Sequence, residues 1–64
     1  MGEELVKIFE IVERFGGYDA RIKLAEKTGF SKVKASEIED TPENVEAFKR
    51  LASQILGKNI DDLE

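Results

Sequence analysis

The segment 21–38 constrains the fold of this chain most, because it holds a glycine where one short helix can end and another can begin. Gly29 can adopt the positive φ that a tight turn needs, and Ser31 is a residue type that caps helix N-termini. Ala25 is small enough to let a second helix cross close to the first. This spacing predicts a helix-turn-helix at about residues 20–39.

Apolar residues at helical spacing, bounded by capping residues, continue along the rest of the chain. Gly16 and Gly17 end the first helix, and Thr41 followed by Pro42 starts the fourth. No segment shows the alternation of a strand. The predicted helices lie near residues 3–15, 19–27, 31–39, 42–56 and 60–63. The 64 residues are therefore predicted to form a single all-α domain, a compact five-helix fold over residues 1–64.

The apolar positions of these helices also predict the core. Its expected members are Leu5, Ile8, Phe9, Val12, Leu24, Ala25, Ile38, Val45, Phe48, Ala52 and Ile55. Val6 and Ile11 widen the apolar stripe of the first helix beyond what a small core needs. A chain of this length buries only about 60% of its unfolded surface, so self-association would add stability. The wide stripe predicts a homodimer contact on the first helix.

Composition excludes several functions. The chain has no cysteine and no histidine, so disulfides, zinc fingers, thiol nucleophiles and imidazole bases are excluded. Glu10 and Glu13 lie on the polar face of an amphipathic helix, where solvation explains them, and no glycine loop has the order of a phosphate cradle. We expect no enzyme, no cofactor and no metal site. Without a long apolar run or a basic leader, a soluble cytoplasmic protein is expected.

Charge is distributed unevenly along the chain. The net charge is −4, which counts against nucleic acid as a partner. Residues 18–34, however, carry five basic and two acidic side chains, a net charge of +3, whereas residues 35–64 carry three basic and eight acidic ones. Salt screens charges beyond about 8–10 Å, so the local field matters more than the sum. The one positive segment coincides with the predicted helix-turn-helix.

The order of these signals resembles the phage Cro and lambda-repressor type of DNA-binding domain. The stretches that carry the resemblance are LAEKTGFS (24–31), SEIED (36–40), TPENV (41–45) and ILGKNIDDL (55–63). It implies a lambda-repressor-like helix-turn-helix fold, a dimer, and sequence-specific binding of double-stranded DNA by a transcriptional regulator. Ala35 departs from the pattern, which usually has Val or Ile there, and the third helix carries acids and no Arg.

The same resemblance implies a division of roles among the polar residues. Those expected to contact bases through the helix at 31–39 are Ser31, Lys32, Val33, Ser36 and Glu37. Those expected to contact phosphates are Arg21, Lys23 and Lys34. The chemistry fits, because Lys can donate to guanine, Glu can accept from cytosine and Val can pack on a thymine methyl group.

A different class of function stays open on the same residues. Negative net charge and the acids Glu37 and Glu39 favour a small helical protein-protein interaction module without DNA binding. Such a module would use the apolar stripe of the first helix or the acidic C-terminal third. A continuous positive strip across Arg21, Lys23, Lys32 and Lys34 would favour DNA, and acids that interrupt the strip would favour a protein partner.

Overall fold

A computed structural model describes residues 2–63 and shows no strand in that range. It contains three α-helices, α1 (Glu3–Thr28), α2 (Lys32–Ala35) and α3 (Pro42–Leu56), and a 3-10 helix at Ile60–Leu63. Helix α1 packs mainly on α3, α2 packs on α1, and the 3-10 helix packs on α3. The predicted all-α class is confirmed, whereas the predicted count of five helices is wrong.

Two of the predicted helices are joined into α1 by a kink at Gly17. This residue has φ 83° and ψ −179°, a conformation open almost only to glycine. It is the one residue of α1 that leaves helical geometry, so the helix changes direction and resumes at Tyr18 without a loop. We call residues 3–16 the first arm of α1 and residues 18–28 its second arm.

Gly16, on the other side of the kink, lies where α1 meets the end of α3. A Cβ atom at this position would be 2.6 Å from the Cβ of Ala20 and 2.6 Å from Cδ2 of Leu56. Such distances are too short for real carbon contacts, so only a residue without a side chain allows this approach. The pair of glycines therefore has two separate roles, close packing at Gly16 and a change of direction at Gly17.

Local caps fix the ends of α3 as the sequence predicts. The hydroxyl of Thr41 accepts a hydrogen bond from the backbone N–H of Asn44 at 3.1 Å, and Pro42 takes the first helical position. After α3 the chain turns back, and the hydroxyl of Ser53 accepts a hydrogen bond from the N–H of Ile60 at 3.0 Å. This bond holds the 3-10 helix against α3.

Apolar side chains from every helix form the core. The rings of Phe9 and Phe48 meet edge to face, with centroids 6.0 Å apart. The buried members are Leu5, Ile8, Phe9, Ile11, Val12, Ala20, Leu24, Ala35, Phe48, Ala52 and Ile60. Of the predicted core, four residues are only half-buried, namely Ala25, Ile38, Val45 and Ile55. The rest of that prediction is confirmed.

On the first arm of α1 the apolar residues face this core, except for Phe15, which is 51% exposed. Ile11 is buried, and the half-buried Val6 packs against the buried cluster. The two residues that widen the stripe thus pack against the core of this chain. A homodimer contact on the first helix stays a prediction.

Helix α2 is shorter than the predicted helix at 31–39. The N–H of Ser36 is shared between the carbonyls of Lys32 and Val33, and the N–H of Glu37 donates to the carbonyl of Lys34 at 3.0 Å. The side chain of Ser36 also donates to the carbonyl of Val33, at 2.6 Å. This side-chain bond competes with helical pairing, so the chain tightens into bonds three residues apart after a single α-helical turn.

Candidate nucleic-acid interface

The turn between α1 and α2 sets the position of the predicted site. Gly29 ends α1 with φ 80°, and its N–H donates to the carbonyl of Ala25 at 2.9 Å. The hydroxyl of Thr28 donates to the carbonyl of Leu24 at 2.9 Å. Ser31 then caps α2, because its hydroxyl accepts a hydrogen bond from the N–H of Lys34 at 3.2 Å. The predicted turn at Gly29 and cap at Ser31 are confirmed.

Helix α2 is anchored by one face and exposed on the other. Ala35 is fully buried, whereas Val33 is 76% exposed. The five residues predicted to contact bases fall outside the core, and among them only Lys32 is half-buried. The five are Ser31, Lys32, Val33, Ser36 and Glu37.

The hydroxyls of Ser31 and Ser36 already make bonds within the chain. The oxygen of Ser31 serves as the cap of α2, and the hydroxyl hydrogen of Ser36 points to the carbonyl of Val33. Each hydroxyl keeps two further hydrogen-bonding capacities: Ser31 can still donate one bond and accept one, and Ser36 can still accept two. Glu37 lies beyond α2, in the tightened turn. Base reading by this segment would therefore depend mostly on Lys32 and Val33.

The predicted phosphate contacts come from both sides of the turn. Lys23, on the second arm, and Lys34, on α2, are exposed. The guanidinium of Arg21 lies over the ring of Tyr18, 4.9 Å from its centroid, and 3.9 Å from a carboxylate oxygen of Glu13. Arg21 is thus held towards the kink, and its charge is partly shared with an acid.

An apolar groove runs between the second arm and α2, and the sequence did not predict it. Its volume is about 530 Å³, and Phe9 from the core contributes to its lining. Besides Phe9, the lining consists of Arg21, Ile22, Ala25, Glu26, Gly29, Phe30, Ser31, Lys32 and Val33. Of the predicted site residues, Arg21, Ser31, Lys32 and Val33 thus meet at one groove, whereas Lys23, Lys34, Ser36 and Glu37 do not line it.

A signal for this groove was present in the sequence. Ile22 and Phe30 are large apolar residues that fit no position of the predicted core, and both are exposed. Two unassigned apolar residues that flank a predicted turn on both sides indicate an apolar surface there. Ala25 was expected at the crossing of two helices, but it is half-buried and lines the groove, whereas Ala35 is the small residue of this segment that is fully buried.

Because comparisons with known proteins found no match, the function has to be inferred from this surface. No family model, no curated protein and no solved structure matches the chain. Within residues 2–63, no helix has both the length and the apolar character needed to span a bilayer. The same part of the chain holds no group of three or more acidic, His or Cys side chains arranged for a metal ion.

Proposed function

We propose that this chain binds double-stranded DNA through α2 and the second arm of α1, as a transcriptional regulator of the Cro and repressor type. The observation that carries the proposal is the position of α2. A glycine turn and a serine cap fix its direction, the buried Ala35 anchors one face, and the opposite face carries Val33 and Lys34 in solvent. A recognition helix needs this combination of a fixed inner face and an exposed outer face.

Charge gives independent support to the proposal. The second arm and α2 contain the segment with net charge +3. The exposed amines of Lys23 and Lys34 lie on the two helices that flank the turn, as contacts to one phosphate backbone would require. Neither lysine forms a salt bridge within residues 2–63. Their charges therefore stay available to phosphates.

The length of α2 limits how much sequence it can read. One helical turn places Lys32 and Val33 at the start of the segment, where base edges are met first. Lys32 would donate to guanine and Val33 would pack on a thymine methyl group. Glu37, just beyond α2, would accept from cytosine but repel phosphates. We propose base preference at few positions and affinity that depends strongly on salt.

The proposal includes a homodimer, since this type of domain reads two half-sites. Phe15, which is 51% exposed on the first arm of α1, is a candidate for this contact, whereas the other apolar residues of that arm face the core. Sedimentation equilibrium at up to about 1 mM protein tests this part. A monomer at every concentration would remove the dimer and leave a single-site DNA-binding domain.

Fluorescence anisotropy with labelled duplexes tests the function itself. A random duplex and duplexes selected for binding are titrated between about 25 and 200 mM salt, and log affinity should fall linearly with log salt. Lys58→Ala serves as the matched control, because this exposed lysine lies beyond α3 and does not line the groove. Absence of binding to any duplex at the lowest salt would reject DNA as the partner.

A second function, a protein-interaction module, is favoured by one specific observation. The groove between the second arm and α2 is bordered by exposed apolar side chains, including Phe30 and Ile22. Phosphates and sugars do not cover such side chains, whereas apolar residues of a protein partner do. This surface is where we propose that a protein partner would bind.

A further inference from the structure

Small residues contribute to the lining of the groove between the second arm and α2. Ala25 and Gly29 belong to the lining, and a Cβ atom at Gly29 would have no atom within 4 Å. Ile22, Phe30 and Val33 stand around this space with 39%, 42% and 76% of their surfaces exposed. A volume near 530 Å³ lies in the range of pockets that enclose several large side chains or a small ligand.

Positive charge borders the apolar surface. Arg21 and Lys32 line the groove together with one acid, Glu26, and Arg21 also shares its charge with Glu13, 3.9 Å away. Lys23 and Lys27 are exposed on the same arm, and neither forms a salt bridge within the described residues. An occupant with apolar side chains and flanking carboxylates would complement both properties. An occupant with flanking amines would meet like charge.

A second copy of the chain does not offer that complement. The exposed large apolar residues of the described chain are Phe15, Tyr18, Ile22, Phe30 and Val33. They all lie within residues 15–33, so two copies could join their apolar surfaces only by bringing two positive segments together. In the acidic part, 35–63, Phe48 and Ile60 are buried, and the other large apolar residues pack against the core.

We propose that this groove binds an acidic amphipathic helix of a different protein. Two or three apolar side chains on one face of that helix, one or two turns apart, would enter the space above Ala25 and Gly29, as in helix-in-groove recognition. Carboxylates beside them would face Arg21 and Lys32. The proposal is independent of DNA binding, because it rests on the apolar lining and on charge complementarity with a peptide.

Titration of ¹⁵N-labelled protein with three synthetic peptides tests the proposal. Each peptide has about 14 residues, roughly 21 Å as a helix. The first carries leucines at positions i, i+4 and i+7 with glutamates between them, the second replaces the glutamates by lysines, and the third replaces the leucines by serines. The first peptide should shift the amide signals of Ile22, Phe30 and Val33. The second should bind at least about tenfold more weakly, since several charge pairs are reversed, and the third should not bind.

Three variants separate binding in the groove from nonspecific apolar association. Phe30→Ser should weaken binding of the first peptide by about tenfold or more, because it removes an aromatic side chain that borders the site. Phe15→Ser is the matched control: this side chain is 51% exposed, lies outside the groove, and should leave affinity unchanged. Val33→Glu, at the most exposed position, should also abolish binding while the spectrum shows an intact fold.

Several outcomes would overturn the proposal. The proposal fails if about 1 mM of the first peptide shifts no amide signals, or if the shifts are centred away from the groove. It also fails if the glutamate and lysine peptides bind with equal affinity. If a higher protein concentration alone moved the signals of Ile22 and Phe30, the occupant would be a second copy instead. Failure of duplex binding in the salt series would leave the peptide result unaffected, so the two proposals fail separately.

Discussion

The carboxylate of Asp40 accepts a hydrogen bond from the backbone N–H of Glu4 at 3.2 Å, although 36 positions separate the two residues. Its other oxygen accepts from the N–H of Leu5 at 3.4 Å. Gly2, at the N-cap position, has no side chain to do this. Asp40 thus acts as the capping residue of α1, and its negative charge lies at the positive end of the helix.

Asp40→Ala should lower the free energy of unfolding by about 0.5–2 kcal/mol, the usual cost of losing a helix cap. Asp40→Asn keeps an acceptor oxygen and should lower the free energy of unfolding by less. Glu39→Ala is the matched control, because the structure uses only the backbone carbonyl of this neighbouring acid. Urea denaturation of the three variants measures the difference. Equal losses for Asp40→Ala and Glu39→Ala would show that Asp40 contributes no cap.

The N-terminus of α1 also approaches α2 closely. A Cβ atom at Gly2 would overlap the carbonyl oxygen of Ala35 and lie 2.8 Å from that of Ile38, and Gly2 has φ 60°. Gly2→Ala should therefore lower the free energy of unfolding by more than the roughly 1–3 kcal/mol expected from backbone strain alone. Gly29→Ala provides the comparison, since its φ is 80° with open space around it. If thermal melts showed the same decrease in melting temperature for both variants, the overlap at Gly2 would be contradicted.

The two small residues near the turn should respond differently to enlargement. Ala35 is fully buried, so Ala35→Leu should destabilise the fold by about 1–3 kcal/mol through overpacking. Ala25 is half-buried and faces the groove, so Ala25→Leu should fill the groove at a smaller cost in stability. The same Ala25 variant should weaken binding of the acidic peptide. A larger loss of stability for Ala25→Leu than for Ala35→Leu would place the helix crossing at Ala25.

Sequence reasoning succeeded where the physics is local. A cap such as Ser31 or Thr41 bonds to an N–H three residues later, so residue type and spacing suffice to predict it. Asp40 could not be recognised in this way, because its partners at Glu4 and Leu5 become neighbours only after α2 and the following turn have folded.

The errors in the predicted helices have physical causes as well. Two glycines usually end a helix, but here Gly16 stays helical for close packing and Gly17 alone bends the chain. The early end of α2 depends on the side-chain bond of Ser36, which competes with helical pairing. The groove depends on which apolar residues the core leaves uncovered, and periodicity does not predict that.

Lys32 and Arg21 should affect DNA binding in different ways, which gives the sharpest test of the proposed function. Lys32 lies at the start of α2, so Lys32→Ala should relax base preference at one position by about 1–3 kcal/mol of discrimination. Arg21 lies on the second arm beside Tyr18, and Arg21→Ala should weaken binding to all sequences alike. It should also reduce the slope of log affinity against log salt by about one unit. Lys58→Ala should change neither quantity. If Lys32→Ala weakened all duplexes equally, Lys32 would be a phosphate contact and α2 would not read sequence.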